Sequence, residues 1–289
     1  DHRADAVLVS FDDGPAFAGD FLVVVLQPHF DEVASAANSL QDVFDVVEGL
    51  FTEMTPAISE KNIQESPFPR FTYREVMDRY GSDKPDIRFD LEIRDVSDIF
   101  RECQLNIFAK TVKSGGAIKA IRLPGGVKES RSWYDGMEDF ARSKGAKGLA
   151  YLLFRGDRID GPIAKFLSEK EREGLIERLG VKTGDSVFFS AGKWSETCAL
   201  MGDVRLRLAR HLELLKGKEN TLAFCWIVDF PMFEYNEEEE KIDFSHNPFS
   251  MPQGGLEVLE TQDPLDIVAF QYDIVCNGIE LSSGAIRNH

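Results

Sequence analysis

Two charged side chains near the end of the sequence have the types and spacing to hold an anionic ligand that also carries a metal ion. Glu280 and Arg287 lie in the stretch Asn277-Gly-Ile-Glu-Leu-Ser-Ser-Gly-Ala-Ile-Arg287. A carboxylate is a hard ligand for a divalent cation, and a guanidinium offers a planar fork of donors to a carboxylate or phosphate. Val275, Ile279 and Leu281 alternate with smaller or polar residues. The stretch therefore reads as a strand entering and a strand leaving a bend of small residues at Ser282-Ser283-Gly284. On an unbroken strand, residues seven apart face opposite sides of the sheet. A glycine-associated bulge or bend is needed to bring Glu280 and Arg287 to one cleft. The competing reading is an edge strand with a surface ion pair.

Other residues able to do chemistry are scattered. His246 sits in the Pro-bounded loop Ser245-His-Asn-Pro-Phe-Ser-Met-Pro252, after a buried strand. Lys84 and Arg88 alternate with Asp83 and Asp86 in the turn-rich run Gly81–Arg88, either a solvated loop or one beside a substrate. His211 falls on an apolar helix stripe and reads as a packed core histidine. Phe11-Asp12-Asp13-Gly14-Pro15 resembles the first motif of polysaccharide deacetylases, in which one of two aspartates binds metal. Those enzymes also need a histidine pair on one helical turn, and the five histidines here are far apart. Asp12 and Asp13 are better read as turn formers.

The elements that must position these groups follow from periodicity. Leu40, Val43, Phe44, Val47, Leu50 and Phe51 mark an amphipathic helix opened by Ser39, with Pro56 marking a loop after it. A short helix spans about Thr72 to Tyr80 and stops at Gly81. From about Leu91 to Arg205, β runs (118–123, 149–154, 187–191) alternate with helices (132–144, 169–179), as in a self-contained α+β unit. A helix over 199–215 leads out of it. Asn220–Tyr235 reads as one long strand with Pro231 at an edge or bulge, and Glu237–Glu240 as the tip of a hairpin returning through Lys241-Ile-Asp-Phe.

Composition bounds the function. The 289 residues are 43% hydrophobic and 29% charged, with 33 basic and 50 acidic side chains and a net charge of −17. That is ordinary globular material, unlike the basic face of an obligate nucleic-acid binder. No apolar run reaches the ~18 residues of a membrane span. Cys103, Cys198, Cys225 and Cys276 lack CxxC spacing and read as buried thiols in a reducing cytoplasm. The first residues are neither a signal peptide nor an initiator Met, which suggests a start within a longer protein.

Several ordered motifs over residues 39–289 carry a family resemblance. Cys225-Trp-Ile-Val-Asp-Phe-Pro-Met-Phe, Ser245-His-Asn-Pro-Phe and Asn277–Arg287 together resemble bacterial-type aspartyl-tRNA synthetase. So do the helix at 40–51 and the run from Phe71-Thr-Tyr-Arg through Gly81–Arg88. The unit 92–205 is similar to an insertion domain that these enzymes share with an amidotransferase subunit acting on misacylated tRNA. The resemblance implies a class II core, an antiparallel sheet flanked by helices, with an inserted α+β domain. It divides the chain into a divergent segment (1–38), a first part of the catalytic core (39–91), the insertion (92–205) and a second part of the core (206–289). It implies that aspartate and ATP form aspartyl-adenylate and that the aspartyl group passes to tRNA(Asp), with tRNA(Asn) as the alternative further acceptor, in a cytoplasmic homodimer. By motif position, Glu280 binds ATP through Mg2+, Arg287 grips the aspartate side chain, and His246 helps bind aspartate or its adenylate. Many relatives have a second histidine where this chain has Asn247.

The departures are equally specific. Asp1-His-Arg-Ala-Asp5 looks like the tail of the second class II signature without its leading Arg, residues 6–38 do not resemble the strand that follows it, and the third signature is absent. The expectation is therefore a partial chain that does not aminoacylate by itself. The alternative is a non-catalytic tRNA- or protein-binding module built on the insertion.

Overall fold

The computed structural model describes residues 40–287, and the chain divides into two compact units, Asp1–Ser59 and Glu60–His289. The described part of the first unit is one helix, α1 (Leu40–Ile58). Phe44 and Val47 are buried and Val46 is exposed, as the apolar spacing requires. The helix runs past Pro56, where the sequence suggests a loop. A proline in the last turn costs a single intrahelical bond, and Ser59 N still bonds the Thr55 carbonyl at 3.0 Å. Ser39, the expected cap, and the turn with Asp12 and Asp13 lie outside the described residues.

The second unit begins with β1 (Asn62–Ile63), β2 (Arg70–Thr72), α2 (Tyr73–Tyr80), β3 (Arg94–Asp95), α3 (Asn106–Lys113), β4 (Ala117–Leu123), α4 (Arg131–Ser143), β5 (Ala150–Arg155) and β6 (Arg158–Asp160). It continues with α5 (Glu169–Leu179), β7 (Ser186–Gly192), α6 (Trp194–His211), β8 (Thr221–Leu222), β9 (Phe224–Pro231) and β10 (Phe233–Asn236). The last elements are β11 (Lys241–Phe244), α7 (Val258–Thr261), β12 (Val268–Cys276) and β13 (Ile279–Ala285). The fold is α+β, built on antiparallel sheets.

The larger sheet has the order β3-β4-β7-β5-β6 and is antiparallel throughout. Its central strands β4 and β7 are buried on both faces, although Lys119 and Arg122 interrupt the apolar run of β4. Ile121, Leu123 and Phe188 pack with Tyr134 and Met137 of α4 and with Met201, Val204 and Leu208 of α6. Ile118, Ala120, Val187 and Phe189 point the other way, into a cluster with Phe108 of α3 and Leu175 of α5. Burying each such side chain contributes roughly 1.5–3 kcal/mol. α6 begins at Trp194 and ends at His211, earlier at both ends than its apolar stripe suggests. It ends because Glu213 turns left-handed (φ 51°), with Leu214 N bonded to Ala209 O and Glu213 N to Arg210 O. His211 is not a core residue: it is exposed, 3.1 Å from Glu129.

The smaller sheet has the order β13-β12-β9-β2, antiparallel except for the parallel β2–β9 pair. The single strand expected over Asn220–Tyr235 is three, broken at Ala223 and Met232. Pro231 closes β9, where Asp229 takes a positive φ of 58° and the β9–β12 register slips. α2 starts on a full capping box, Thr72 with Glu75, and stops at left-handed Gly81. β10 and β11 form the expected hairpin with Glu237–Glu240 at its tip. All four cysteines are buried and free. Among the described residues no helix is long and apolar enough to cross a membrane.

Candidate functional site

The hairpin of β12 and β13 turns at Asn277-Gly278, not at Ser282–Gly284, which lie inside β13. Both turn residues have positive φ (53° and 87°), the conformation that Asn-Gly supplies in a two-residue turn. Asn277 also accepts from Ala223 N at 2.9 Å and donates to Thr221 O at 2.8 Å, tying the turn to β8 and to the break between β8 and β9.

Beyond the turn the ladder carries a bulge. Val275 pairs with Glu280, but its neighbour Ile274 pairs with Ser282, so Leu281 is an extra residue. The bulge involves no glycine. It shifts the alternation of β13 by one, and Glu280, Ser283 and Arg287 come to one side. They line a cleft of about 450 Å³ together with Asp83, Lys84, His246, Asn247, Gln271 and Asp273. The three residues given site roles by the resemblance, Glu280, Arg287 and His246, are thus brought together with Lys84, whereas Arg88 and His211 lie outside the cleft.

Each is held by a neighbour. Glu280 Oε2 lies 3.0 Å from Lys84 Nζ, and this hydrogen bond raises the Lys84 pKa. Arg287 Nη1 donates to Asn247 Oδ1 at 3.3 Å. The same oxygen accepts from Phe249 N at 3.0 Å, so two donors fix which end of the amide faces Arg287. The Arg287 backbone bridges Ser250, which docks the 245–252 loop against the end of β13. His246 packs edge-on against Tyr73 and Phe230, with ring centres 5.5 and 5.0 Å away. Its outer edge is exposed, yet burial of the inner face lowers its pKa, against the raising effect of Asp83 and Glu234.

The sequence reading missed Asp273. It is 4% exposed, pairs across the ladder with Ser283, and its Oδ1 accepts no hydrogen bond. Burial first, then the nearby Glu280 and Asp83, push its pKa up to about 7. A lone acid inside the apolar run of β12 was the available signal, because such a group is costly unless paired or used. Among the described residues no trio of His, Cys, Asp or Glu converges as a metal cluster. The cleft instead offers three carboxylates, one imidazole and two cations to a small, multiply charged ligand.

The GAD domain family matches residues 108–201. The sequence is 52% identical over 271 residues to an aspartate–tRNA(Asp/Asn) ligase of Chlorobaculum parvum, covering 94% of this chain and 43% of that protein. It is 54% identical over 248 residues to the ligase of the same name from Chlorobium luteolum, covering 86% of this chain and 41% of that protein. The match to the Prosthecochloris aestuarii ligase is also 54% identical over 248 residues, covering 86% of this chain and 40% of that protein. The chain spans about two fifths of the length of the curated relatives it matches.

Proposed function

We propose that this chain, homologous over most of its length to aspartate–tRNA ligases, carries part of a pocket that activates aspartate with ATP. The observation that supports this most is the bulge at Leu281, which sets Glu280 and Arg287 on one side of β13, in one cleft with His246. In this reading residues 39–91 and 206–289 are two parts of a class II catalytic core, and 92–205 is an insertion that includes the GAD match.

Arg287 pairs its guanidinium with the side-chain carboxylate of aspartate. Asparagine would turn an amide NH2 toward the same donors and leave them unpaired, which is how a buried polar site rejects a near-isostere. His246, largely neutral at pH 7 because its pKa is lowered, serves as a hydrogen-bond partner for aspartate or its adenylate. Glu280 belongs to the ATP side. Asp273 joins it: a buried carboxylate oxygen without a donor suits a hard cation, and Mg2+ is commonly held by one or two carboxylates. Mg2+ bound there would neutralise charge on the ATP phosphates. What these side chains contribute is position and charge, without a protein nucleophile. The acceptor is tRNA(Asp), with tRNA(Asn) as a second substrate, and the whole enzyme is a cytoplasmic homodimer. Reading the chain as a binding module alone leaves the convergence on the cleft unexplained.

The test is calorimetric titration of the purified chain with a non-hydrolysable aspartyl-adenylate analogue and with its asparaginyl counterpart. Saturable binding of the first, weak binding of the second, and loss of the preference in Arg287→Lys are expected, because lysine keeps the charge but not the fork. Equal affinity for the two analogues in the parent chain would overturn the assignment of Arg287.

A further inference from the structure

The loop that carries Asp83 and Lys84 into the cleft is held from the opposite side by a single buried guanidinium. Arg205 lies on α6, whose first residues close the segment that matches the GAD domain. It is 1% exposed. Its Nε donates to Leu91 O at 2.7 Å, and Nη2 donates to Asp86 O at 2.9 Å and Phe89 O at 3.2 Å. The guanidinium carbon also stands 4.1 Å from the Phe89 ring centre and 4.9 Å from that of Tyr80. Burial lowers its pKa to about 10, which still leaves it charged at neutral pH.

The surrounding contacts make the clamp rigid. α6 meets the start of the loop backbone to backbone: a Cβ on Gly81 would fall 2.2 Å from Cys198 O, and one on Gly202 would fall 2.5 Å from Gly81 O. Within the loop, Arg88 forks onto the buried Asp86 carboxylate at 2.7–3.3 Å, and Lys218 donates to Arg88 O. The cleft side of the loop abuts the Asn277-Gly278 turn: a Cβ on Gly278 would lie 3.6 Å from Asp86 Cβ and 3.9 Å from Lys84 O. A continuous path therefore runs from α6 through Arg205, the carbonyls of 86–91 and Lys84 to Glu280.

We infer that Arg205 is a positioning residue for the cleft: by fixing the backbone of residues 86–91 it sets where Lys84 meets Glu280, and so couples the GAD-matching part of the chain to the nucleotide side of the pocket. The inference rests on the proposed divalent-cation site at Glu280 and Asp273. There the Lys84 ammonium competes with the cation for Glu280 until ligand arrives.

Arg205→Met keeps an unbranched apolar stem between Phe89 and Tyr80 and removes all the donors. Two readouts on the full chain test it: amide hydrogen exchange over residues 82–91, and affinity for Mn2+ alone, read by water-proton relaxation. In Arg205→Met, exchange over 82–91 should rise at least roughly tenfold, while β9 and β12 keep their protection. Mn2+ affinity should rise roughly two- to fivefold, the worth of an exposed ion pair, matching the rise in Lys84→Met. The double variant should gain no more than Lys84→Met alone, since both act through the same contact. Unchanged exchange over 82–91 in Arg205→Met overturns the clamp. So does an affinity gain that simply adds to that of Lys84→Met. If Lys84→Met leaves Mn2+ binding unchanged while Arg205→Met still frees the loop, the cation site fails and the clamp stands. If Arg205→Met loses protection throughout the sheet, Arg205→Lys decides on the same exchange criterion, because a lysine cannot reach all the carbonyls at once.

Discussion

Glu280 and Arg287 share one side of β13 although seven residues separate them, because Leu281 stands out of the ladder between the partners of Ile274 and Val275. The same residues paired one for one, with no bulge, would aim the acid and the guanidinium at opposite faces. The juxtaposition is therefore a property of register.

Deleting Leu281 should therefore preserve it. With the bulge residue gone, Glu280 and Arg287 stand six apart, an even spacing that keeps both on one face, while Glu280 and Ser282 keep their partners Val275 and Ile274. The expected result is a folded chain with an ordinary thermal transition that keeps the effect of Lys84→Met on Mn2+ affinity. A folded deletion variant that has lost that effect would show that strand parity is not what places Glu280.

What the sequence made legible, and what it did not, divides along physical lines. α5, with its capping box and left-handed Gly180, begins and ends where the periodicity puts it, because local chemistry sets both ends. α2 stops at Gly81 for the same reason. The need for a bulge between Glu280 and Arg287 was legible from strand parity, but its place was not. Asn277-Gly278 took the turn, and no residue at 280–282 marks an irregularity by type. Arg205 was invisible for another reason. Its role depends on burial and on carbonyls more than a hundred residues away, and a sequence pattern reports neither. Asp273 left a trace as a lone acid in an apolar run, but not the burial and neighbours that give it a role.

Gly284 offers a direct check on the register of β13. A Cβ there would come within 2.5 Å of the Tyr272 ring, and an aromatic ring in a packed sheet yields little. Gly284→Ala should destabilise the chain by about 1–3 kcal/mol through overpacking. Combined with Tyr272→Ala, the same substitution should cost far less, a strong positive coupling in a double-mutant cycle. Urea midpoints of the four proteins give that coupling, and additive losses would mean that the ring does not lie against Gly284.

The turn is a second place where a small change should be costly. Asn277 combines a left-handed backbone with two side-chain hydrogen bonds to β8 and the break after it. Asn277→Ala should lose about 2 kcal/mol or more, from backbone strain and from the unpaired groups at Thr221 and Ala223. Asn277→Gly relieves the strain alone and should recover about half of the loss, as read by denaturant titration. A full recovery would show that the hydrogen bonds contribute nothing to stability.

Asp273 should write a pH dependence into the stability of the chain. Its carboxyl moves from the ordinary 3.8 to about 7 on folding, chiefly because it is buried. The folded state thus holds this proton more tightly than the unfolded state, and stability falls as pH rises between about 4 and 7. Below about pH 4 both states are protonated and no penalty exists. Above about pH 7 both are ionised and the penalty is complete, on the order of 4 kcal/mol at ~1.4 kcal/mol for each pH unit between the two values. Asp273→Asn carries no charge to bury. It should be the more stable protein at pH 8 and lose its advantage steadily as pH drops toward 4, measured as the difference in unfolding free energy between variant and parent at each pH. Millimolar Mg2+ at pH 8 should raise the stability of the parent and leave the variant nearly unmoved, since a cation at Asp273 and Glu280 offsets the charge that burial disfavours. A difference between the two proteins that stays flat across this range would mean that Asp273 ionises freely, and the case for a cation beside Glu280 would lose its electrostatic basis.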